Sequence, residues 1–224
     1  MIAGYFSIPV PKPEGWDARK QGAWPGRKSG AYEWFHIQDN IAYWGEFDQP
    51  KIIVPAITET PIAAADRDGY FSNNKSTIFL PPNIALAAAC VNSPVAAWIA
   101  GQTFATKQGG FFDLEPRYSS QIPVPSSNHD QRETIEAMVA AISVGISRPE
   151  YERLLNGLVY ELFFPADLHA KAIRLFDACA AAGISEEMDA QAIATAIFHN
   201  SHPIYGMLFD LQALDVVRII EGTA

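Results

Sequence analysis

The chain has 224 residues, 49% of them hydrophobic and 18% charged, and a formal net charge of -9. That length and balance suit one sizeable domain or two small ones and exclude a disordered chain. No apolar run approaches the ~20 residues that span a bilayer, and Met1 to Pro13 lacks the basic start and apolar core of a signal peptide, so a cytoplasmic protein without a membrane segment is expected.

Residues 1–31 are rich in Pro and Gly, including Pro9, Pro11, Pro13, Gly15, Pro25 and Gly26, and show no sustained periodicity, as in a loop or arm. Lys12, Arg19, Lys20, Arg27 and Lys28 face only Glu14 and Asp17 there, the composition expected of a phosphate-binding arm. Tyr32, Trp34, Phe35 and Ile37 have the pattern of a half-buried strand, and Lys51 to Val54 that of a short apolar strand stopped by Pro55. Gln38, Asp39 and Asn40 form a polar bend between them, with donors and acceptors that core packing does not require.

Strands broken by turns are expected from Asp48 to Leu80. Asp66-Arg67-Asp68-Gly69 has turn composition, Tyr70-Phe71 fits a short strand, and Ser72-Asn73-Asn74-Lys75 is a second polar turn before Thr77 to Leu80. Pro81-Pro82-Asn83 ends that strand. A helix then runs from Ile84 to Val91, Asn92-Ser93-Pro94 stops it, and a second short helix, Val95 to Ala100, carries Trp98. The paired glycines of Lys107-Gln108-Gly109-Gly110 suit a tight turn whose backbone approaches another surface closely. Arg117 and Tyr118 lead into Ile122-Pro123-Val124-Pro125, an extended stretch that marks the expected domain boundary.

Beyond Asn128 the period becomes helical. Ile135, Met138, Val139 and Ile142 form one stripe, Ser147-Arg148-Pro149-Glu150 reads as a capping box, and Tyr151, Leu154, Leu155, Leu158, Val159 and Leu162 share a face up to Pro165. Leu168 to Cys179 predicts a third helix closed by Gly183, and residues 188–199 and 204–221 predict two more. Charge divides the chain at the same place: residues 1–128 hold 10 Lys and Arg against 11 Asp and Glu, and residues 129–224 hold 6 against 14. The fold expected is α+β, a small mixed or antiparallel sheet with supporting helices over residues 1–128, followed by an acidic all-α bundle over residues 129–224.

A series of words runs through the first part: WPGRKSGAYEWF from Trp24, IQDNIAYW from Ile37, FDQPKIIVP from Phe47, CVNSP from Cys90, KQGGFF from Lys107 and IPVPSSN from Ile122. Their order resembles the TaqI-like C-terminal specificity domain, the target-recognition part of adenine-N6 DNA methyltransferases and single-chain (type IIG) restriction–modification enzymes. The VYELFF word from Val159 is similar to the helical tail that follows this domain in many such proteins. The resemblance implies sequence-specific binding of double-stranded DNA beside a methyltransferase or endonuclease catalytic domain or subunit. The cofactor S-adenosylmethionine would then belong to that partner, with none in this chain.

The residue types fit such a role. Arg and Lys bond guanine O6 and N7, and Asn bonds adenine N6 and N7 in the major groove, while cations fix register on phosphates. Arg27, Lys28, Gln38, Asn40, Lys51, Arg67, Asn73, Asn74, Lys75, Lys107, Gln108 and Arg117 are the contacts expected. An alternative is a protein-interaction module that docks a catalytic subunit through the helical half.

Catalysis has no motif here. A methyltransferase needs a Gly-rich cofactor turn and an Asn-Pro-Pro-Tyr type loop for a flipped adenine, and Leu80-Pro81-Pro82-Asn83 has only the double proline. Asp66, Asp68 and Lys75 are the nearest thing to a nuclease metal cluster, and turn formation explains them as well. His36, His199 and His202 lack further metal ligands nearby in sequence, and Cys90 and Cys179 read as small buried hydrophobes.

Overall fold

The computed structural model describes residues 43–145 and 148–223. The chain divides into two compact units at Glu46/Phe47, and every strand and α-helix described belongs to the second. The architecture is mixed α+β, with small antiparallel sheets and ten α-helices among the described residues. The expected strand at Tyr32 to Ile37, the basic arm and the Ser147 cap lie outside them.

Strand β1 (Lys51–Pro55) is the middle of a three-stranded sheet, paired antiparallel with β3 (Ala64–Asp66) on one edge and β4 (Ser76–Phe79) on the other. Lys51 lies opposite Asp66, and Pro55 opposite Ser76. After Ala56 the chain continues as β2 (Ile57–Thr58), which pairs with β5 (Phe112–Asp113). Tyr70 and Phe71 do not form the expected strand. Asp66 Oδ2 instead accepts from Tyr70 N at 2.9 Å, and Phe71 stacks on Phe47 with ring centroids 4.9 Å apart.

Helix α1 (Ile84–Val91) begins and ends where Asn83 and Asn92 punctuate the sequence: Asn83 Oδ1 caps Leu86 N at 2.6 Å, and Asn92 clamps Ala63 through both its N–H and its C=O. All eight of its residues are buried. Ser93 then caps α2 (Pro94–Thr103), with Pro94 at the first position, where a missing N–H costs nothing. Trp98 is 41% exposed rather than buried, because α2 turns Val95, Ala96 and Ala100 inward. A short helix, α3 (Pro116–Ser119), follows β5.

The helical half starts at Asn128, whose side chain and that of Gln131 close a reciprocal capping box at the head of α4 (His129–Val144). Helix α5 (Arg148–Phe163) buries Tyr151, Leu154, Leu158 and Val159 in the expected stripe. The single helix expected from Leu168 to Cys179 is two, α6 (Pro165–His169) and α7 (Leu175–Ala181). The break has a cause far away in sequence. Buried Glu161 accepts from Leu175 N at 2.7 Å and Phe176 N at 3.1 Å, starting α7 afresh, while Ala172 takes a left-handed φ of 57°. Likewise 204–221 is divided into α9 (Pro203–Leu211) and α10 (Asp215–Ile220), after α8 (Ala190–Ile197).

Two apolar clusters hold these layers. The smaller joins Ile52, Val54, Ala87, Ala88, Phe104 and Leu114 under the sheet. The larger joins the helices from α4 onward with Ala85, Leu86, Ala89 and Cys90 of α1. The division expected at Asn128 therefore coincides with the start of α4, but packing runs across it, since α1 serves both clusters. Cys90 and Cys179 are free and buried, and burial pushes both thiols up to about 12, with Glu161 adding to the rise at Cys179.

Candidate nucleic-acid interface

The expected contact residues fall into two groups at opposite ends of β1. Past its C-terminal end, Ala56 N donates to Lys75 O at 2.8 Å and Leu114 N donates to Ala56 O at 2.8 Å, so the turn before β4 and the hairpin before β5 flank the same residue. The turn carries Asn73, Asn74 and Lys75, all exposed. Asn73 Oδ1 accepts from Lys75 N at 2.9 Å and fixes the bend. The hairpin bridges Thr106 to Phe112 and carries Lys107 and Gln108 at its tip. Lys107 N donates to Phe111 O at 2.7 Å, and Gly109 and Gly110 reverse the chain with φ of 85° and 83°, which side-chain-bearing residues rarely adopt.

Asp113, which the sequence reading did not single out, ties this end together. Its side chain is 1% exposed, and its Oδ2 accepts from Lys107 Nζ at 2.9 Å and from Arg117 at 3.1 Å, while Oδ1 accepts from Glu115 N at 3.1 Å. The Lys107 ammonium foremost, then the Glu115 N–H, hold its carboxyl down at about 2 against the opposing effect of burial, and Arg117 adds to the lowering. Arg117 also pairs with Glu115 at 3.3 Å and lies 4.8 Å over the Tyr118 ring, which packs on Phe104. The only signal of Asp113 in sequence is one acid between two apolar residues, Phe112 and Leu114.

The other end of β1 holds Arg67. Its guanidinium pairs with Glu136 of α4, which also accepts from Asn83 Nδ2 at 3.2 Å, so Arg67 is turned toward the helical layer. Lys51 does not belong to any surface. It is 0% exposed, its ammonium pairs with Asp66, and it donates to Phe47 O at 2.6 Å, so it cannot reach a ligand in this fold. Burial pushes the Asp66 carboxyl up, but the Lys51 bond and the N–H groups of Asp68 and Tyr70 outweigh it and hold the group below its ordinary value. Asp66 is thereby committed to structure. Among the described residues no group of three or more His, Cys, Asp and Glu is placed to hold a metal ion. Arg27, Lys28, Gln38 and Asn40 lie outside the described residues.

Of the five cations in residues 43–128, four are in ion pairs and Lys75 has none among the described residues. Lys75 stands at the rim of a cavity of about 750 Å³ between the sheet, α1, α4 and α5, with Ile53, Ala64, Ile142 and Leu155 on its walls. What the sheet end offers chemically is donors: amides at 73, 74 and 108, an ammonium at 75, and two cations gathered on one carboxylate. No single helix among the described residues is long and apolar enough to cross a membrane. Compared with protein-family models, with curated proteins and with solved structures, the chain finds no match.

Proposed function

We propose that this chain binds double-stranded DNA sequence-specifically, as the TaqI-like target-recognition portion of an adenine-N6 DNA methyltransferase or restriction–modification enzyme in the cytoplasm. The observation that carries the reading is the convergence of two polar segments, Asn73 to Lys75 and Lys107 to Gly110, at one end of a small sheet, with their side chains exposed. Three of the ordered words in the sequence, FDQPKIIVP, CVNSP and KQGGFF, supply β1, the end of α1 and that hairpin.

In this reading Lys75, Lys107 and Arg117, with Arg27 and Lys28 of the arm, fix register on phosphates. Asn73, Asn74 and Gln108 read base edges, and Arg67, Gln38 and Asn40 are further candidate contacts. Lys51 has no part in it. Residues 1–128 form the recognition domain and 129–224 an acidic helical tail, and the bond chemistry and its S-adenosylmethionine belong to the methyltransferase or endonuclease partner.

The test is fluorescence anisotropy of labelled random duplexes between 50 and 200 mM salt. Affinity should fall with a slope of about -0.9 per phosphate contacted, and selection from a random pool should return one short motif. No binding at the lowest salt refutes the proposal. A second reading, docking of a catalytic subunit through the helical half, is favoured by Phe209, 74% exposed on α9. An apolar interface of that kind predicts little response to salt.

A further inference from the structure

The ion pairs of the sheet end pose a question that charge counting answers wrongly. Lys107, Arg117, Asp113 and Glu115 sum to zero, which argues against any attraction for an anion. Their depths argue otherwise. The Lys107 and Arg117 side chains are 46% and 62% exposed, whereas the carboxylate that gathers them is 1% exposed and lies beneath. We propose that Asp113 is a positioning residue, which aims Lys107 and Arg117 outward as one preformed clamp for backbone phosphate. The proposal rests on the DNA-binding reading above.

Both cations come from separate segments, the hairpin tip and α3, and meet on one oxygen, Asp113 Oδ2. That carboxylate cannot swivel, because Glu115 N holds its other oxygen. Arg117 is fixed a second time by the Tyr118 ring beneath it. A free Lys or Arg loses rotamer entropy when a phosphate immobilises it; here much of that freedom is already lost on folding. Donors remain for a ligand. Lys107 has three N–H groups with Asp113 engaging one, and the ion pairs of Arg117 use a single terminal nitrogen, Nη2. Glu115 is the opposing feature, an exposed carboxylate 3.3 Å from the same nitrogen.

Duplex affinity of the full chain separates this from a salt bridge that merely pins the hairpin to α3. Removing a negative charge should tighten binding by simple electrostatics. The clamp predicts the reverse: Asp113→Asn weakens binding about two- to tenfold, Asp113→Glu restores part of it, and Asp113→Asn has no further effect in a Lys107→Gln/Arg117→Gln background. Glu115→Gln strengthens binding. If the unaltered chain binds duplex and Asp113→Asn binds as well or better, the clamp is refuted and the DNA reading survives. If the unaltered chain binds no duplex, both fall. Should thermal melting show Asp113→Asn unfolded, the exposed pair decides. A Lys107→Gln/Arg117→Gln double that loses less than the sum of its singles supports the clamp, and strict additivity overturns it.

Discussion

Lys51 is the residue on which sequence and structure differ most sharply, and Lys51→Met measures the difference. The substitution keeps the length of the side chain but removes the ammonium from a site with no exposure, leaving the Asp66 carboxylate without its counter-charge and taking away the bond that Lys51 donates to Phe47 O. Removing one member of a buried ion pair costs about 3–5 kcal/mol, a large part of the ~5–15 kcal/mol that holds a domain together. Two backbone N–H groups still reach Asp66, at 2.9 Å each, and place the cost at the lower end. Urea unfolding followed by circular dichroism at pH 7 should therefore show a loss of about 3 kcal/mol for Lys51→Met, against less than about 0.5 kcal/mol for exposed Lys75→Met. The Lys51→Met/Asp66→Asn double should lose less than the two singles together. Acid works in the same direction: Asp66 has its folded value below the ordinary 3.8, so its stabilisation is present above that pH and is lost as pH falls through the folded value. The gap between the unaltered chain and Lys51→Met should then narrow. A cost under about 1 kcal/mol, the size typical of an exposed pair, would refute the buried pairing.

Two glycines in helices should respond to alanine with opposite signs. A Cβ at Gly157 in α5 would sit 2.7 Å from Leu175 Cδ1 and 2.9 Å from Leu208 Cδ2, so an overpacking cost of about 1–3 kcal/mol outweighs the ~1 kcal/mol gain in helix propensity; at Gly206 in α9 nothing lies within 4 Å and only the gain remains. Thermal melting of both variants checks this, and a stabilised Gly157→Ala contradicts it. Glu161→Ala should cost about 3 kcal/mol in urea unfolding, because the Leu175 and Phe176 N–H groups lose their acceptor. His202 accepts from Ile204 N at 3.3 Å to cap α9, and burial, then His199, lowers its folded value below 6.5. Its contribution is present above pH 6.5 and lost as pH falls through the folded value, so His202→Asn, which keeps a capping acceptor, should flatten the melting temperature between pH 7.5 and 5. For DNA, Arg27→Ala/Lys28→Ala should weaken all sequences alike, whereas replacing a base reader among Asn73, Asn74 and Gln108 should cost ~1–3 kcal/mol at one base pair only. Uniform loss from both sets, measured by competition among duplexes, contradicts that division.

What could be read in the sequence was what neighbours in sequence decide. The bounds of α1 follow from Pro81-Pro82-Asn83 on one side and Asn92-Ser93-Pro94 on the other, because a cap and a proline act within a few residues. The stripe of α5 was legible for the same reason. The break between α6 and α7 was not, since the carboxylate that starts α7 belongs to Glu161, fourteen residues before Leu175. Lys51 misled because its partner lies across a strand pair, at Asp66, and a lysine flanking an apolar strand looks the same in sequence whether it faces water or acid. Asp113 went unnoticed for the complementary reason: Lys107 and Arg117 lie only six and four residues from it, but one acid between two apolar residues does not show that a hairpin and a helix turn both cations onto it.

Helix α1 belongs to two interiors at once. Neither layer can shed it without opening the other, so the sheet end and the acidic bundle should melt as one transition, and amide protons of Ala87 to Cys90 should be among the slowest to exchange with solvent. A duplex held at the hairpins would then lend its binding free energy to helices it never touches.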